Sequence, residues 1–401
     1  MNPLVPSGRR KDFDLATPIS IQPSERSVSD KLSRAWAYLG YGLQMIPPLV
    51  LPILPNRNAS QQTVVGDRTI RYYRHWPACP KLIADWDALS LTVPGATAFQ
   101  SPAWQRAIAR LGDSLGTLRL VTVHQNDKLI AVVPLERNGR GRWRAPGRMT
   151  TDYLEPLVMP DNAAMTWRAI LQAVREFTGD SVQEISFDLV APDSPIREQL
   201  AALPASTGYV AHEEVVSVAT TIPLAPTWDE YLAKLDSHDR KELRRKIRKA
   251  EERGGAQLVV SDTALSAEHA LRDVFALMET SGGGKGRKAK WLFRPHFRVA
   301  APRLAQTGRL IVYQLFLNHR LAASVIALPC ATHQILWCGA IDHELSQWSP
   351  GIVLFGMVFR HAIGLGHAKI DLLRGQYPYK YSLGAVDRPL SRITLVNQKT
   401  R

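Results

Sequence analysis

Apolar and polar positions fall into the same order twice along this chain. LRLVTVHQNDKLIAVVPL (118–135) and RLIVYQLFLNHRLAASVIAL (309–328) each join two runs rich in Val, Ile and Leu through a short polar break. Such runs on either side of a two-residue turn predict a β-hairpin. Asn126-Asp-Lys-Leu-Ile-Ala131 aligns with Asn318-His-Arg-Leu-Ala-Ala323 at an offset of 192. Upstream, Phe99-Gln-Ser-Pro102-Ala-Trp104 and Phe293-Arg-Pro295-His-Phe297 each lead into a helical stretch ending in glycine, Gly112 or Gly308. Downstream, an apolar helix (163–178 and 350–364) precedes a strand that ends in Asp. That strand is Ile185-Ser-Phe-Asp188 in one copy and Ala368-Lys-Ile-Asp371 in the other, at an offset of 183. The repeating unit is therefore helix, hairpin, strand, helix, strand, about 170 residues long. A hairpin followed by a strand–helix–strand crossover requires a mixed sheet with helices packed on it. The expected fold is α/β (α+β), with two tandem lobes, each a mixed β-sheet flanked by helices.

Pro223 and Pro226 punctuate the junction, which places an N-terminal lobe at 63–225 and a C-terminal lobe at 226–401. Residues 1–62 read differently. They hold eight of the 27 prolines with little periodicity, a composition expected to stay mostly disordered. Within them Ala35–Asn56 runs 22 residues without a charge. Four prolines in its second half argue against a membrane span. It reads as a linker packing loosely on the body or as a segment that associates with a membrane surface or a partner complex.

The chain has 401 residues, 45% of them apolar, and a net charge of +14. Residues 226–401 carry 27 basic and 15 acidic side chains, against 23 and 21 in residues 1–225. A positive field confined to one half suggests an anionic partner there, or simply a basic soluble protein. Three cysteines (Cys79, Cys330, Cys338) rule out a disulfide framework, and their spacing offers no metal site. Cys330 and Cys338 lie in strand-like apolar runs and are expected to be buried thiols of a cytoplasmic protein.

Four stretches of the C-terminal half could carry chemistry. LDSHDRKELRRKIRKAEER (235–253) predicts a helix that buries Leu243, Ile247 and Ala250. Its Arg240, Arg244, Arg245 and Arg248 form either a solvated face or a phosphate-contacting one. No nucleic-acid module accompanies it, so DNA is not expected as a partner. SGGGKGRKAK (281–290) lacks P-loop spacing and reads as a basic glycine-rich loop, either a mobile one that folds over substrate or a plain surface loop. Ser349-Pro350-Gly351 starts a helix whose N-terminus suits a pyrophosphate, although Ser and Pro are also good structural starts. In IDLLRGQYPYKYSLG (370–384), Asp371, Arg374 and Lys380 stand in a Tyr-rich segment at a strand end, which points to a site.

The order SGGGKG, hairpin, WCGAIDHELSQWSPG (337–351) and IDLLRGQYPYKY (370–381) resembles the CelD-like acyltransferases of the GNAT superfamily, a group linked to cellulose and exopolysaccharide biosynthesis. The tandem arrangement is similar to that of the Fem-type peptidyltransferases. The resemblance implies two GNAT-like lobes and acyl-CoA, acetyl-CoA in the first instance, as co-substrate without a metal. The acceptor it implies is an amine or hydroxyl of a sugar or polysaccharide precursor. It further implies splayed strands that bring backbone groups beside the thioester. On these terms Asp371 is the candidate base or acceptor-orienting residue. Lys380 is the candidate for balancing charge on the thioester oxygen or on an acceptor phosphate. Ser349, Gly351 and Lys285 fall to the cofactor, and Ser281, Arg374 and Tyr379 to the substrate. The strict GNAT pyrophosphate loop is absent, and Gly283-Gly284 replaces the family's usual Trp before Lys285-Gly286. A non-catalytic GNAT-derived subunit of a synthesis complex, peripheral to the inner membrane, and a Fem-type aminoacyl transferase using charged tRNA are the competing expectations.

Residues 1–62 offer no catalytic side chains. Their deletion is expected to leave melting temperature and turnover unchanged, and a collapse of thermal stability would place Ala35–Asn56 in the core.

Overall fold

The computed structural model describes residues 61–114, 117–178, 182–280 and 283–398. The expectations for 1–60, including Ala35–Asn56, and for Ser281 lie outside these residues. The first described element starts at Gln61, two residues ahead of the expected boundary. A hairpin of β1 (Gln61–Val65) and β2 (Arg68–Tyr73) leads into helices α1 (Pro80–Thr92) and α2 (Pro102–Ser114). There follow β3 (Leu118–Gln125), β4 (Lys128–Arg137), β5 (Arg142–Arg144), β6 (Leu157–Val158), α3 (Ala163–Thr178), β7 (Glu184–Val190), α4 (Pro195–Ala201) and β8 (Tyr209–Pro223). The second half runs α5 (Trp228–Lys234), α6 (Ser237–Gly254), β9 (Gln257–Ser261), α7 (Ala264–Thr280), α8 (Gly283–Lys288), a π turn (Ala289–Phe293) and α9 (Arg294–Gln306). It finishes with β10 (Ile311–Leu317), β11 (Arg320–Pro329), β12 (His333–Ile341), α10 (Pro350–Gly364), β13 (Lys369–Arg374), α11 (Pro378–Tyr381) and β14 (Val386–Asn397).

The repeat is physical. Both hairpin turns place two residues at positive φ, Asn126 and Asp127 at 50° and 61°, Asn318 and His319 at 46° and 64°. That is the type I′ geometry whose twist matches the flanking strands. Each hairpin also carries a register shift three residues before its turn, between Val123 and His124 and between Leu315 and Phe316.

All strands join one mixed sheet in the order β1-β2-β3-β4-β5-β7-β14-β8-β13-β12-β11-β10-β9, with β6 on β4. The halves exchange their final strands. β14, from the end of the chain, pairs β7 of the first half, while β8 pairs β13 of the second. β8 and β14 pair with each other from Tyr209↔Asn397 to Val386↔Thr221. The equivalent helices α2 and α9 meet through Trp104 and Phe297, whose rings lie 5.6 Å apart at 87°.

The predicted basic helix forms as α6, buries Leu243, Ile247 and Ala250, and stops where Gly255 turns left-handed at φ 54°. It lies so close to α10 that a Cβ on Gly356 would sit 2.6 Å from Ile247 Cδ1.

Three expectations need correction. The glycine-rich segment is a helix from Gly283, because Gly286 packs against the end of α7 (a Cβ there would stand 3.2 Å from Glu279 O) and Ala289, Leu292 and Phe293 are buried just beyond. The strands expected to end at Asp188 and Asp371 run on to Val190 and Arg374 through kinks at Leu189 and Leu373, with φ 61° and 56°. Cys330 and Cys338 are half-buried rather than buried, and Cys79 is exposed. Among the described residues no helix is long and apolar enough to cross a membrane.

Candidate active site

Parallel strands β12 and β13 pair only across His333–Ile335 and Lys369–Asp371. Beyond that they diverge, each held by its outer neighbour. β11 carries β12 on to Ile341, with a register shift that leaves Trp337 as the extra residue. β8 carries β13, with a shift between Asp371 and Arg374. Two bulges thus open a cleft whose walls present backbone groups freed from pairing. Helix α10 begins at its far end, after Ser349 at φ 50° and ψ 53°. Leu373 and Tyr153, both non-glycine at positive φ, meet through Asp371, and Ser349, also at positive φ, precedes α10. Such strain persists only where the surroundings enforce it, and it concentrates at functional sites.

The first half supplies a wall. Between β5 and β6 the segment 145–156 stays anchored on β7, through Ala145 N on Ser186 O and Leu154 N on Asp188 O, while Thr150, Asp152 and Tyr153 reach the second half. Thr150 O accepts from Trp337 Nε1 at 3.0 Å. Asp152 pairs with the Arg374 guanidinium, and Tyr153 Oη donates to Asp371 Oδ2. The segment is braced from behind by Trp104 Nε1 on Thr151 Oγ1 (2.9 Å) and by Gln100 Nε2 on Tyr153 O (2.6 Å). None of Thr150, Asp152, Tyr153 or Trp337 was singled out from sequence. The available signal was the offset itself. Its fall from 192 to 183 means that the first copy carries nine extra residues (192 − 183) between hairpin and final strand.

Asp371 and Lys380 occupy other positions than their expected roles require. Asp371 is buried, and besides Tyr153 it accepts from Leu373 N at 2.8 Å. Burial pushes its carboxyl above the ordinary range despite both hydrogen bonds. With both oxygens engaged and no solvent contact, it holds the kink of β13 rather than facing an acceptor as a base. Lys380 is buried as well. Its ammonium donates to Leu372 O (2.9 Å), Leu373 O (3.2 Å) and Arg374 O (3.1 Å). Those carbonyls are the ones the kink turns away from a neighbouring strand. Burial lowers its pKa to about 8, against the pull of Asp371 and Asp152. All three N–H bonds are committed, so Lys380 staples the strand and is not free to meet an oxyanion.

Arg374 reaches the surface beside its ion pair with Asp152. Tyr379 lies between Phe355 and Tyr377 in a series of nearly parallel rings, each neighbour tilted by 16°. The Ser349 hydroxyl makes no cap hydrogen bond, and Gly351 stands beside Ile341 with room for an ordinary contact only. Ser281 lies outside the described residues, and nothing is described of the Lys285 side chain.

The first half's equivalent cleft is closed. Ala131 pairs Val158 as Ala323 pairs Ile341, so Glu155 stands where the second half has Cys338. Its carboxyl turns inward, accepting from Ala191 N at 3.0 Å and from Ser194 Oγ. What remains between Glu155, Pro156, Leu157, Ser194 and Pro195 is a cavity of about 20 Å³, room for one water. Desolvation pushes the Glu155 carboxyl up to about 7.

Residues 237–381 match the acetyltransferase (GNAT) domain family. No curated protein matches the chain. Among solved structures, FemX is 12% identical, with a TM-score of 0.55 over 85% of this chain and 98% of that one. L-PGS from Bacillus licheniformis is also 12% identical, at 0.49 over 79% and 91%. A tandem GNAT protein from the clavulanic acid biosynthesis pathway is 14% identical, at 0.42 over 81% and 98%. The chain has a fold like that of FemX, and residues 237–381 within its second half match an acetyltransferase (GNAT) domain.

Two outcomes follow from the buried groups. Lys380→Met strands Leu372 O and Arg374 O, leaves Leu373 O with Thr220 Oγ1 alone, and is expected to cost on the order of 2 kcal/mol of stability; an unchanged denaturation midpoint would show that the staple is dispensable. The raised Glu155 pKa gives a stability contribution that is full below the unfolded value of about 4.5 and is lost as pH rises through 7. Glu155→Gln should remove about 3 kcal/mol of that decline between pH 4.5 and 8. Parallel stability–pH curves for the two proteins would refute it.

Proposed function

We propose that this chain moves an acyl group from acyl-CoA, acetyl-CoA first, to an amine or hydroxyl of a sugar or polysaccharide precursor, in the manner of CelD-like enzymes. The observation that carries the reading is the divergence of β12 and β13 beyond Ile335 and Asp371, within the segment that matches the acetyltransferase family. A thioester entering there would lie beside the β12 backbone past Ile335, the side of the cleft from which amide donors would stabilise a tetrahedral oxyanion. The nucleophile attacks the carbonyl carbon, the C–S bond breaks, and the nucleophile's proton ends on the departing thiolate. Ser349, with an uncapping hydroxyl, and Gly351 at the start of α10 suit the donor's phosphates. Arg374 and Tyr379, at the mouth, suit the acceptor. Ala35–Asn56 would bring the enzyme to a membrane or synthesis complex.

One observation favours a second reading, Fem-type transfer from charged tRNA. Lys241, Arg244, Arg245 and Arg248 line an exposed groove of about 400 Å³ on α6, a stripe fit for a phosphate backbone.

Native mass spectrometry of the freshly purified protein separates these readings. A co-purified CoA species supports the first, and a co-purified tRNA the second. CoA retained without turnover on any amine or amino-sugar acceptor would make the chain a binding subunit. Gly351→Glu places a carboxylate at the helix start and should weaken acetyl-CoA binding at least tenfold, about 1.4 kcal/mol, with melting unchanged. Unaltered affinity in calorimetry would remove the donor from α10.

A further inference from the structure

His296 is 6% exposed, and its Nε2 has no hydrogen-bond partner. A buried polar atom left unpaired costs stability, so a native one calls for an explanation. The ring sits where the two halves meet beside the cleft. It lies 4.4 Å from Trp104 of the first half and 5.7 Å from Phe297. Both of those rings contact Trp337, the bulged residue of β12, at 5.7 and 5.2 Å. His296 is therefore one ring removed from the point where β12 parts from β13. The backbone ahead of it is irregular as well. Ala289–Phe293 forms a π turn three residues before His296, and π turns inside helices recur at functional sites. Phe293, its last residue, also packs on Trp337, at 4.8 Å. Were this only packing, phenylalanine would fill the aromatic cluster without an orphaned nitrogen. Desolvation holds the imidazole neutral, with a pKa near 3, so it is uncharged at any working pH.

We propose that His296 is an acceptor-site residue of the second-half cleft, its Nε2 hydrogen-bonding the amine or hydroxyl nucleophile that enters beside Trp337. This rests on the acyl-transfer reading and adds to it a group that fixes the nucleophile. Asp371 and Lys380, both engaged in holding β13, cannot do so. The ligand class is a small primary amine or alcohol, such as an amino sugar, presented edge-on within an aromatic cluster. Displacement of the Phe293 turn would admit it.

The test is the full chain carrying His296→Phe, with His296→Gln as the conservative control. Acetyl-CoA serves as donor against a panel of amines and amino sugars. In the Phe variant the melting temperature should hold or rise, acetyl-CoA affinity should stay unchanged, and kcat/KM for the acceptor should fall ~100-fold. Gln should recover at least tenfold of that loss. Equal turnover in wild type and Phe variant would overturn the proposal and leave His296 as tolerated core. If wild type acetylates no member of the panel, the acyl-CoA reading fails, and a second measurement judges His296 alone. In nitrogen-15 spectra of histidine-labelled protein, the His296 Nε2 resonance, assigned by its loss in the variant, should shift on adding panel amines. A resonance unmoved by all of them overturns the proposal.

Discussion

The exchange of final strands between the two halves is the constraint on which the rest depends. β8 and β14 lie side by side at the centre of the sheet, and each completes the lobe to which it does not belong in sequence. Pulling the halves apart would break three ladders and expose six edges on four strands, a costly outcome for backbone groups and for solubility. Ala219, Ile222, Leu390, Ile393 and Leu395 are buried along the exchanged strands, so apolar packing reinforces the pairing. With the lobes fixed in this way, residues 145–156 of one can meet the cleft of the other in one geometry. A hinge between the lobes would scatter those contacts.

That cleft exists because β13 must satisfy β8 on one side while leaving β12 on the other. The chain resolves the conflict locally, with Leu373 in the left-handed region and a shift of register. The kink turns three carbonyls out of the ladder, and Lys380 answers all three, with Thr220 Oγ1 also on Leu373 O. It also needs its amide at Leu373 held, which Asp371 does. Placing Lys380, Asp371 and Asp152 together in a dry seam raises both acids and lowers the base, the shared signature of desolvation. The charges are tolerated because each has a specific partner, two of them contributed by the other lobe's segment or directed at it. The polar residues at the strand end are thus tied to the shape of the cleft before any question of chemistry arises.

Much of this architecture was legible in the sequence. The hairpins, the bounds of α3 and α10, the buried stripe of α6 and the tandem order all follow from periodicity and turn chemistry, because those patterns are local. What could not be read was long-range. Nothing near Asp371 announces that Tyr153, 218 positions away, will close over it. Lys380 read as a charge facing the acceptor because the carbonyls that capture it are exposed only by a kink that no local rule predicts. The glycine-rich segment deceived for the opposite reason. Composition argued for a loop, while Gly286 is there to let one helix lie against another. Of the site residues, those at the helix start stand near where the pattern put them, and those in the seam had to be seen in three dimensions.

The two copies differ in a way that one event explains. The strand that remains whole as β12 in the second half is divided into β5 and β6 in the first, and eight of the nine additional residues lie in the excursion between them (191 − 183). A lobe that sends this strand outward cannot also line a cleft with it. The place is instead filled by Glu155, clasped by Ala191 and Ser194. The same excursion delivers Thr150, Asp152 and Tyr153 to the second half. Loss of one cleft and completion of the other are therefore a single structural change. A chain with two folded copies of the unit accordingly keeps, among its described residues, the cleft of diverging strands in one copy only. That cleft lies in the half with the surplus of positive charge, where an anionic donor would be drawn.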